Sequence, residues 1–142
     1  MNSKTNDWSQ KILSAHQDRR PKPNLAPGIS AADAYNIQRA FVTGQESPVV
    51  GFKAALSSVK AQAAFETSEP VFGALLANAE IQSGFELSNM VTPMIEIEMG
   101  FLLGASLTAP LSMVDFNQVF IGTTMTIDLA EVGFEGKPSS FD

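Results

Sequence analysis

The sequence contains no cysteine, and this absence excludes several classes of protein at once. A chain without thiols has no disulfide framework, no cysteine-ligated zinc, no iron–sulfur cluster and no thiol nucleophile. It also lacks the Gly-x-Ser-x-Gly motif of serine hydrolases and any glycine-rich loop of the phosphate-binding type. The single histidine, His16, falls on the polar side of a predicted helix, where a surface position is expected more than a catalytic one.

Basic residues are missing from a long part of the chain. Residues 61–136 contain ten acidic side chains and no Lys or Arg, whereas residues 1–60 contain eight basic and four acidic side chains. A carboxylate buried in the acidic stretch must be neutralised, exposed or paired with an external partner such as a divalent cation. The net charge of −6 argues against nucleic acid or an anionic membrane as the main partner.

Long apolar runs are also missing. The longest uncharged run, residues 99–114, is interrupted by Pro110 and several hydroxyl residues, which is too short and too polar for a membrane span. The N-terminus lacks the apolar core of a secretory signal. These features predict a cytoplasmic protein, and 142 residues suffice for one domain with a hydrophobic core.

The two longer predicted helices lie in the first third of the sequence, and mostly strand-like segments follow them. Asn6 or Asp7 is expected to cap a first helix that ends near Asp18, and Ser30 to cap a second that ends at Gly44. The later predicted elements are a strand over 48–53, a short helix with Ser57 as its N-cap that runs to Phe65, a strand over 91–103, a helix over 112–120 and a strand over 123–129. This order predicts an α+β fold.

Two carboxylates alternate with apolar residues in the segment Ile95-Glu96-Ile97-Glu98-Met99. On a strand, Glu96 and Glu98 share one face at a spacing of roughly 7 Å, so both can reach one hard cation. Asp128 has the same alternating setting in a second predicted strand, and such an oxygen-only set suits Mg²⁺ or Mn²⁺. The alternative, that all three are solvated acids on the wet face of half-buried strands, stays open.

Lys53 is the other candidate for chemistry. It ends the apolar run Val49-Val50-Gly51-Phe52, where a lysine on a buried face is unexpected. A desolvated lysine beside a cation can donate a proton or hold a carboxylate. Equally, a lysine at the end of a strand can extend its amine to water.

Five ordered segments resemble the 2-keto-4-pentenoate hydratase group of the fumarylacetoacetate hydrolase superfamily. Each segment resembles one family motif, and the five segments follow one another in the order of the family's motifs. The segments are Ala34-Tyr35-Asn36-Ile37-Gln38, Gly51-Phe52-Lys53-Ala54-Ala55-Leu56-Ser57-Ser58, Gln62 with Glu69-Pro70-Val71-Phe72-Gly73-Ala74-Leu75, Pro93 to Leu103, and Thr126 to Phe134.

The resemblance implies N-terminal helices over 1–47 and a partial β-roll of the fumarylacetoacetate hydrolase type over 48–142, in a single domain whose C-terminal part is missing. It implies Mg²⁺ or Mn²⁺ held by Glu96, Glu98 and Asp128, and a catalytic role for Lys53. The implied reaction is addition of water to a 2-oxo or 2-hydroxy-dienoate, such as 2-keto-4-pentenoate, in aromatic-compound degradation. The implied partner is this small 2-oxo acid, in a homo-oligomer that binds neither nucleic acid nor membrane.

Three alternatives to the hydratase stay open. A decarboxylase of related oxo acids would use the same metal and lysine, and a C–C hydrolase is less favoured because only His16 is available as a histidine base. A truncated, catalytically inactive relative is the third. Two departures from the family pattern bear on these alternatives: Asp128 replaces the usual Glu, and Ala55 replaces a usual Gly, which would strain the backbone if that position needs a positive φ.

Overall fold

A computed structural model describes residues 3–24, 28–107, 110, 112, 116–131 and 133–136. The described chain contains helices and antiparallel strand pairs, which confirms the predicted α+β class. It divides into two compact units, Met1–Val91 with Gly133–Asp142, and Thr92–Val132. The division predicted at residue 47, with one domain overall, stays a prediction. Among the described residues, no helix has the length and apolar character needed to cross a lipid bilayer.

The first unit begins with two helices that pack against each other. Helix α1 spans Ser3–Gln17 and α2 spans Ala31–Gly44, with Ala15 and Ile37 almost fully buried. Gly44 lies so close to α1 that an added Cβ would stand 2.9 Å from Leu13 Cδ2, so a larger residue there would require the Leu13 side chain to shift.

The N-terminal cap of α2 is the predicted one, whereas that of α1 is not. Ser30 caps α2, because its hydroxyl accepts a hydrogen bond from the Asp33 amide at 3.1 Å, as predicted. The prediction that Asn6 or Asp7 caps α1 is wrong, since the helix already includes both residues. Asp7 instead forms an i,i+4 ion pair with Lys11 on the exposed surface of α1.

The first unit also contains a two-stranded antiparallel sheet. Strand β1 spans Val49–Ala55 and β2 spans Val71–Leu76, joined through helix α3 at Val59–Ala64. The β2 strand was not predicted, since the apolar run that forms it shows no alternation. Helix α3 is capped by Ser58 and not by the predicted Ser57. Two single 3₁₀ turns follow, at Ala77–Ala79 and Leu87–Asn89.

Helix α2 supplies hydrogen bonds to the backbone of β2 through two side chains. Tyr35 Oη accepts a hydrogen bond from the Phe72 amide at 3.2 Å, and Gln38 Nε2 donates to the Phe72 carbonyl at 2.9 Å. The amide and carbonyl of one β2 residue are therefore satisfied by side chains and not by a further strand. Two residues of the first family-like segment thus have a structural role at the sheet edge.

The second unit is built on one long hairpin-like pair of strands. Strand β3 spans Pro93–Leu103 and β4 spans Phe120–Glu131, paired antiparallel, with helix α4 at Phe116–Val119 before β4. Both strands confirm the predicted segments. Of the helix predicted over 112–120, the described residues place 116–119 in α4 and Phe120 in β4, and residues 113–115 lie outside the described residues. Phe101, Phe116 and Phe120 contact one another edge-on or tilted, at ring centroid distances of 4.2–5.9 Å.

Candidate metal centre

The pairing register of β3 and β4 determines which acidic side chains come together. Glu96 is directly opposite Asp128, and Glu98 is directly opposite Thr126. Because directly paired residues point to the same side of a sheet, and because side chains alternate along each strand, all four side chains belong to one face. A shift of one residue in register would send Asp128 to the opposite face from Glu96.

The three carboxylates converge in the folded chain. One carboxylate oxygen from each of Glu96, Glu98 and Asp128 lies within 4.8 Å of the other two, and all three side chains are half-buried. Carboxylate oxygens at this separation can act as donors to one shared ion. A hard divalent cation matches this donor set, since Mg²⁺ takes a few carboxylate oxygens and completes its octahedron with water or substrate. The residues present therefore fit the cation that the resemblance implies.

Thr124, Thr126 and Gly100 lie on the same face as the carboxylates, and none of them was identified from the sequence as part of the site. Thr126 donates its hydroxyl to the backbone carbonyl of Glu98 at 3.4 Å, across the strand pair. Gly100 lies opposite Thr124, and a Cβ built on Gly100 would stand 3.0 Å from Thr126 Cγ2 and 3.2 Å from Thr124 Cγ2. The alternation of side chains that places Asp128 on this face also places Thr124 and Thr126 there. Their position beside the carboxylates could therefore have been predicted from the sequence.

Lys53 lies in the first unit, near the end of β1. It is half-buried and is paired across the sheet with Gly73. A Cβ built on Gly73 would meet no heavy atom within 4 Å, so open space adjoins the strand position across from Lys53. Its partial burial argues against a fully solvated lysine, and its catalytic role stays a prediction.

The backbone after Lys53 shows that position 55 does not need a positive φ. Ala55 lies within β1, and the positive φ falls on the next residue, Leu56, at 55°. Gln62 Nε2 donates to the Leu56 carbonyl at 2.9 Å, which holds this left-handed residue between β1 and α3. The replacement of the family glycine by Ala55 therefore causes no strain of the expected kind.

His16 does not have the setting of a catalytic base. It is exposed in the last turn of α1, and its ring makes an edge-on contact with Phe41 of α2 at a centroid distance of 5.5 Å. The aromatic contact is consistent with a structural role in packing α1 on α2.

Comparison with curated proteins identifies homologues over part of the chain. A 2-oxo-hept-4-ene-1,7-dioate hydratase from Escherichia coli is 34% identical over 89 residues, which are 59% of this chain and 33% of that protein. A 2-keto-4-pentenoate hydratase from Paraburkholderia xenovorans (strain LB400) is 34% identical over 109 residues, covering 70% of this chain and 40% of that protein. No family model matches the sequence.

Comparison with solved structures identifies the fold. A 4-oxalocrotonate decarboxylase from Pseudomonas putida G7, complexed with magnesium and adipate, superposes with a TM-score of 0.85 at 19% identity. The match covers 99% of this chain and 57% of that one. A structure of 4-oxalocrotonate decarboxylase from the same organism, complexed with calcium and acetate, gives a TM-score of 0.82 at 20% identity, covering 95% and 56% of the two chains.

The chain spans a third to two fifths of the length of the curated hydratases that it matches. Within that span the family-like segments, the homologous hydratases and the shared fold agree with one another. Over the matched residues the chain is therefore a homologue of the 2-keto-4-pentenoate hydratases, and it has the fold of the 4-oxalocrotonate decarboxylase.

Proposed function

We infer that this chain carries the cation-binding part of a metal-dependent hydro-lyase that adds water to a 2-oxo or 2-hydroxy-dienoate such as 2-keto-4-pentenoate. The observation that carries the proposal is the convergence of Glu96, Glu98 and Asp128 within 4.8 Å on two adjacent strands. The hydratase names of the homologues support the reaction class. The magnesium in the decarboxylase structure supports Mg²⁺ as the first cation to test, with Mn²⁺ as the second.

The chemistry follows from the donor set and the substrate class. Glu96, Glu98 and Asp128 would hold the cation through one oxygen each, which leaves coordination positions for the carboxylate and 2-oxo oxygens of an oxo acid. When bound, the cation supplies Lewis-acid stabilisation of the enolate formed as the dienol tautomerises. The half-burial of the three ligands strengthens their electrostatic interaction relative to bulk water.

Hydration also requires proton transfer. Addition of water forms a C–O bond at one carbon of the conjugated double bond and a C–H bond at the other, so a proton must be taken from water and delivered to carbon. We assign this transfer to the amine of Lys53, on the resemblance of its segment and on the partial burial of its side chain.

Cation binding is tested by thermal unfolding with Mg²⁺ and Mn²⁺. A ligand at a hundred times its dissociation constant stabilises the folded state by about 2.7 kcal/mol, so the wild-type melting temperature is expected to rise with cation concentration. The Glu96→Ala/Glu98→Ala variant is expected to lose this rise. Glu80→Ala/Glu86→Ala is the matched control, because it removes two exposed acidic groups from the first unit. An equal response of both double variants would contradict the metal site.

The reaction is tested separately by ultraviolet absorbance. Loss of the conjugated dienoate without release of CO₂ is the result expected of a hydratase. Loss of the dienoate with CO₂ release would assign the chain to the decarboxylases, and cleavage of a C–C bond to the hydrolases. Cation-dependent stabilisation without turnover of any of these substrates would identify a catalytically inactive relative that keeps the metal site.

A further inference from the structure

The antiparallel pair of β3 and β4 contains two registers that differ by one residue. The pairs that β3 makes from Pro93 to Leu102 share one register, here named the base register. The next pair, Leu103 with Phe120, is displaced by one residue into what is here named the shifted register. Ile121 of β4 is the extra residue of the bulge between them. Both registers are therefore available to the same two strands.

Only the base register brings the acidic side chains together. In it, Asp128 lies opposite Glu96. If the shifted register ran along the whole strand pair, Asp128 would lie opposite Ile95 instead, on the face away from Glu96 and Glu98. The candidate metal centre therefore requires the bulge to stay at the far end of the pair.

The chain enters β3 and leaves β4 through a close contact inside the first unit. Val91 is the last residue of that unit before β3, and Gly133 is its first residue after β4. Gly133 is buried, and a Cβ built on it would overlap Val91 Cγ1 and lie 3.2 Å from the Val91 carbonyl oxygen. Counted along the chain, each lies two residues outside the pair Pro93–Glu131, so their contact fits the base register. The shifted register would set Gly133 opposite Met90 instead.

Backbone contacts hold Gly133 in this place. The Lys22 amide donates a hydrogen bond to the Gly133 carbonyl at 2.8 Å, and the Glu135 amide donates to the Lys22 carbonyl at 2.9 Å. Thr92, next to Val91, has a φ of 48°, a left-handed conformation that a β-branched residue keeps only where its surroundings impose it. The segments that flank the strand pair at its base are thus fixed by their own contacts, whereas the far end contains the bulge.

We propose that Gly133 is a positioning residue of the metal centre. Because it has no side chain, it lets Val91 approach closely, and this contact selects the base register and thereby sets Asp128 opposite Glu96. A larger residue at position 133 separates the two segments, so that the bulge can move along the strand pair to its base. The proposal rests on the proposed cation-binding function, since it explains how the ligands of that site are brought together.

The register is measured directly by cysteine cross-linking, which the absence of native cysteine permits. Directly paired residues have Cβ atoms about 4.5–5.5 Å apart, near the separation that a disulfide needs, whereas residues on opposite faces point apart. Met99→Cys/Met125→Cys reports the base register, and Met99→Cys/Thr124→Cys reports the shifted one. With Gly133 we expect an intrachain disulfide only in the first pair. With Gly133→Ala we expect it to decrease in the first pair and to form in the second.

Cation affinity is measured on the same position without the added cysteines, by calorimetric titration with Mg²⁺. The shifted register removes Asp128 from the ligand set, so Gly133→Ala is expected to raise the dissociation constant at least about tenfold. Gly133→Ala/Val91→Ala removes the obstructing Cγ1 and should recover the base register and part of the affinity. Gly122→Ala is the matched control, because a Cβ there, also on β4, would lie at an ordinary 3.6 Å from Leu102 Cδ1.

Two outcomes would overturn the proposal. Unchanged cross-linking in Gly133→Ala, with only a loss of stability in urea, would show that Gly133 serves packing alone. Weaker Mg²⁺ binding at an unchanged register would show that the effect does not pass through Asp128. A wild-type chain that binds neither Mg²⁺ nor Mn²⁺ would contradict the proposed function, while the cross-linking still decides whether Gly133 sets the register.

A second variant keeps the test informative if Gly133→Ala does not fold. Lys22→Pro removes the amide that bonds to the Gly133 carbonyl and adds no Cβ at position 133. It is expected to loosen the same contact, so that the disulfide of Met99→Cys/Thr124→Cys forms in this background as well. Cross-linking confined to the base register in Lys22→Pro would count against the proposal.

Discussion

Glu96 and Asp128 are direct cross-strand partners on one face of the β3–β4 sheet, although one lies near the start of its strand and the other near the end. Antiparallel pairing produces this arrangement, because the beginning of one strand meets the end of the other. Glu98 then approaches the same point from the next position on that face. The candidate metal centre is thus a property of the strand pair and of its register.

The charge of Asp128 is expected to matter more than the length of its side chain. Asp128→Asn keeps the shape and removes one anionic oxygen, so cation affinity should fall at least about tenfold, which corresponds to about 1.4 kcal/mol. Asp128→Glu restores the residue usual in the hydratases and should retain cation binding. Isothermal titration with Mg²⁺ and Mn²⁺ measures both variants. Equal affinity of Asp128→Asn and the wild type would remove Asp128 from the ligand set.

Substitution of Lys53 is expected to affect turnover but not cation binding, whereas substitution of the carboxylates affects cation binding. Lys53→Met should abolish turnover of the dienoate while the cation-dependent rise in melting temperature is retained. Lys53→Arg keeps the positive charge but cannot release its proton near neutral pH, so it should be inactive as well. Lys60→Met, on the exposed surface of α3, is the control and should stay active. Turnover by Lys53→Met at the wild-type rate would exclude the lysine from catalysis.

Gly100 is expected to be required for packing beside the metal centre. The methyl group of Gly100→Ala would lie 3.0 Å from Thr126 Cγ2, closer than ordinary contact, and overpacking of this kind costs about 1–3 kcal/mol. Urea unfolding should show this loss. The double variant Gly100→Ala/Thr126→Ser removes the obstructing Cγ2 and should recover part of the stability. Additive losses in the double-mutant cycle would show that the two positions do not compete for space.

Tyr35 and Gln38 are expected to stabilise the edge of β2 together. Tyr35→Phe removes the acceptor of the Phe72 amide, and Gln38→Met removes the donor to its carbonyl. Each loss should lower the free energy of unfolding by about 0.5–1.5 kcal/mol, toward the lower value because both hydrogen bonds are exposed. Gln17→Met, a similar exposed substitution on α1, should have no measurable effect. Unchanged stability of both edge variants would show that water replaces these side chains without cost.

Local patterns in the sequence were sufficient to predict several structural elements. Alternation placed Glu96 and Glu98 on one strand face, and Ser30 was recognised as a cap by its position before an apolar-periodic segment. These features depend on neighbours within a few residues. The β2 strand was missed because its apolar run has no period that separates strand from helix. The start of α1 was placed too late because a capping residue type inside a helix gives the same local signal as a true cap.

By itself the sequence determined the acidic residue types of the candidate metal centre, the face that each carboxylate takes along its own strand, and the resemblance to the hydratases. Only the tertiary structure decided that Glu96 and Asp128 meet, that the positive φ falls on Leu56 and not on Ala55, and that Tyr35 and Gln38 bond to Phe72. The reason is that side-chain alternation is set by the local backbone, whereas register, strand partners and edge contacts depend on residues distant in the chain. Such pairings depend on the total free energy of the folded state, which cannot be read from any single segment.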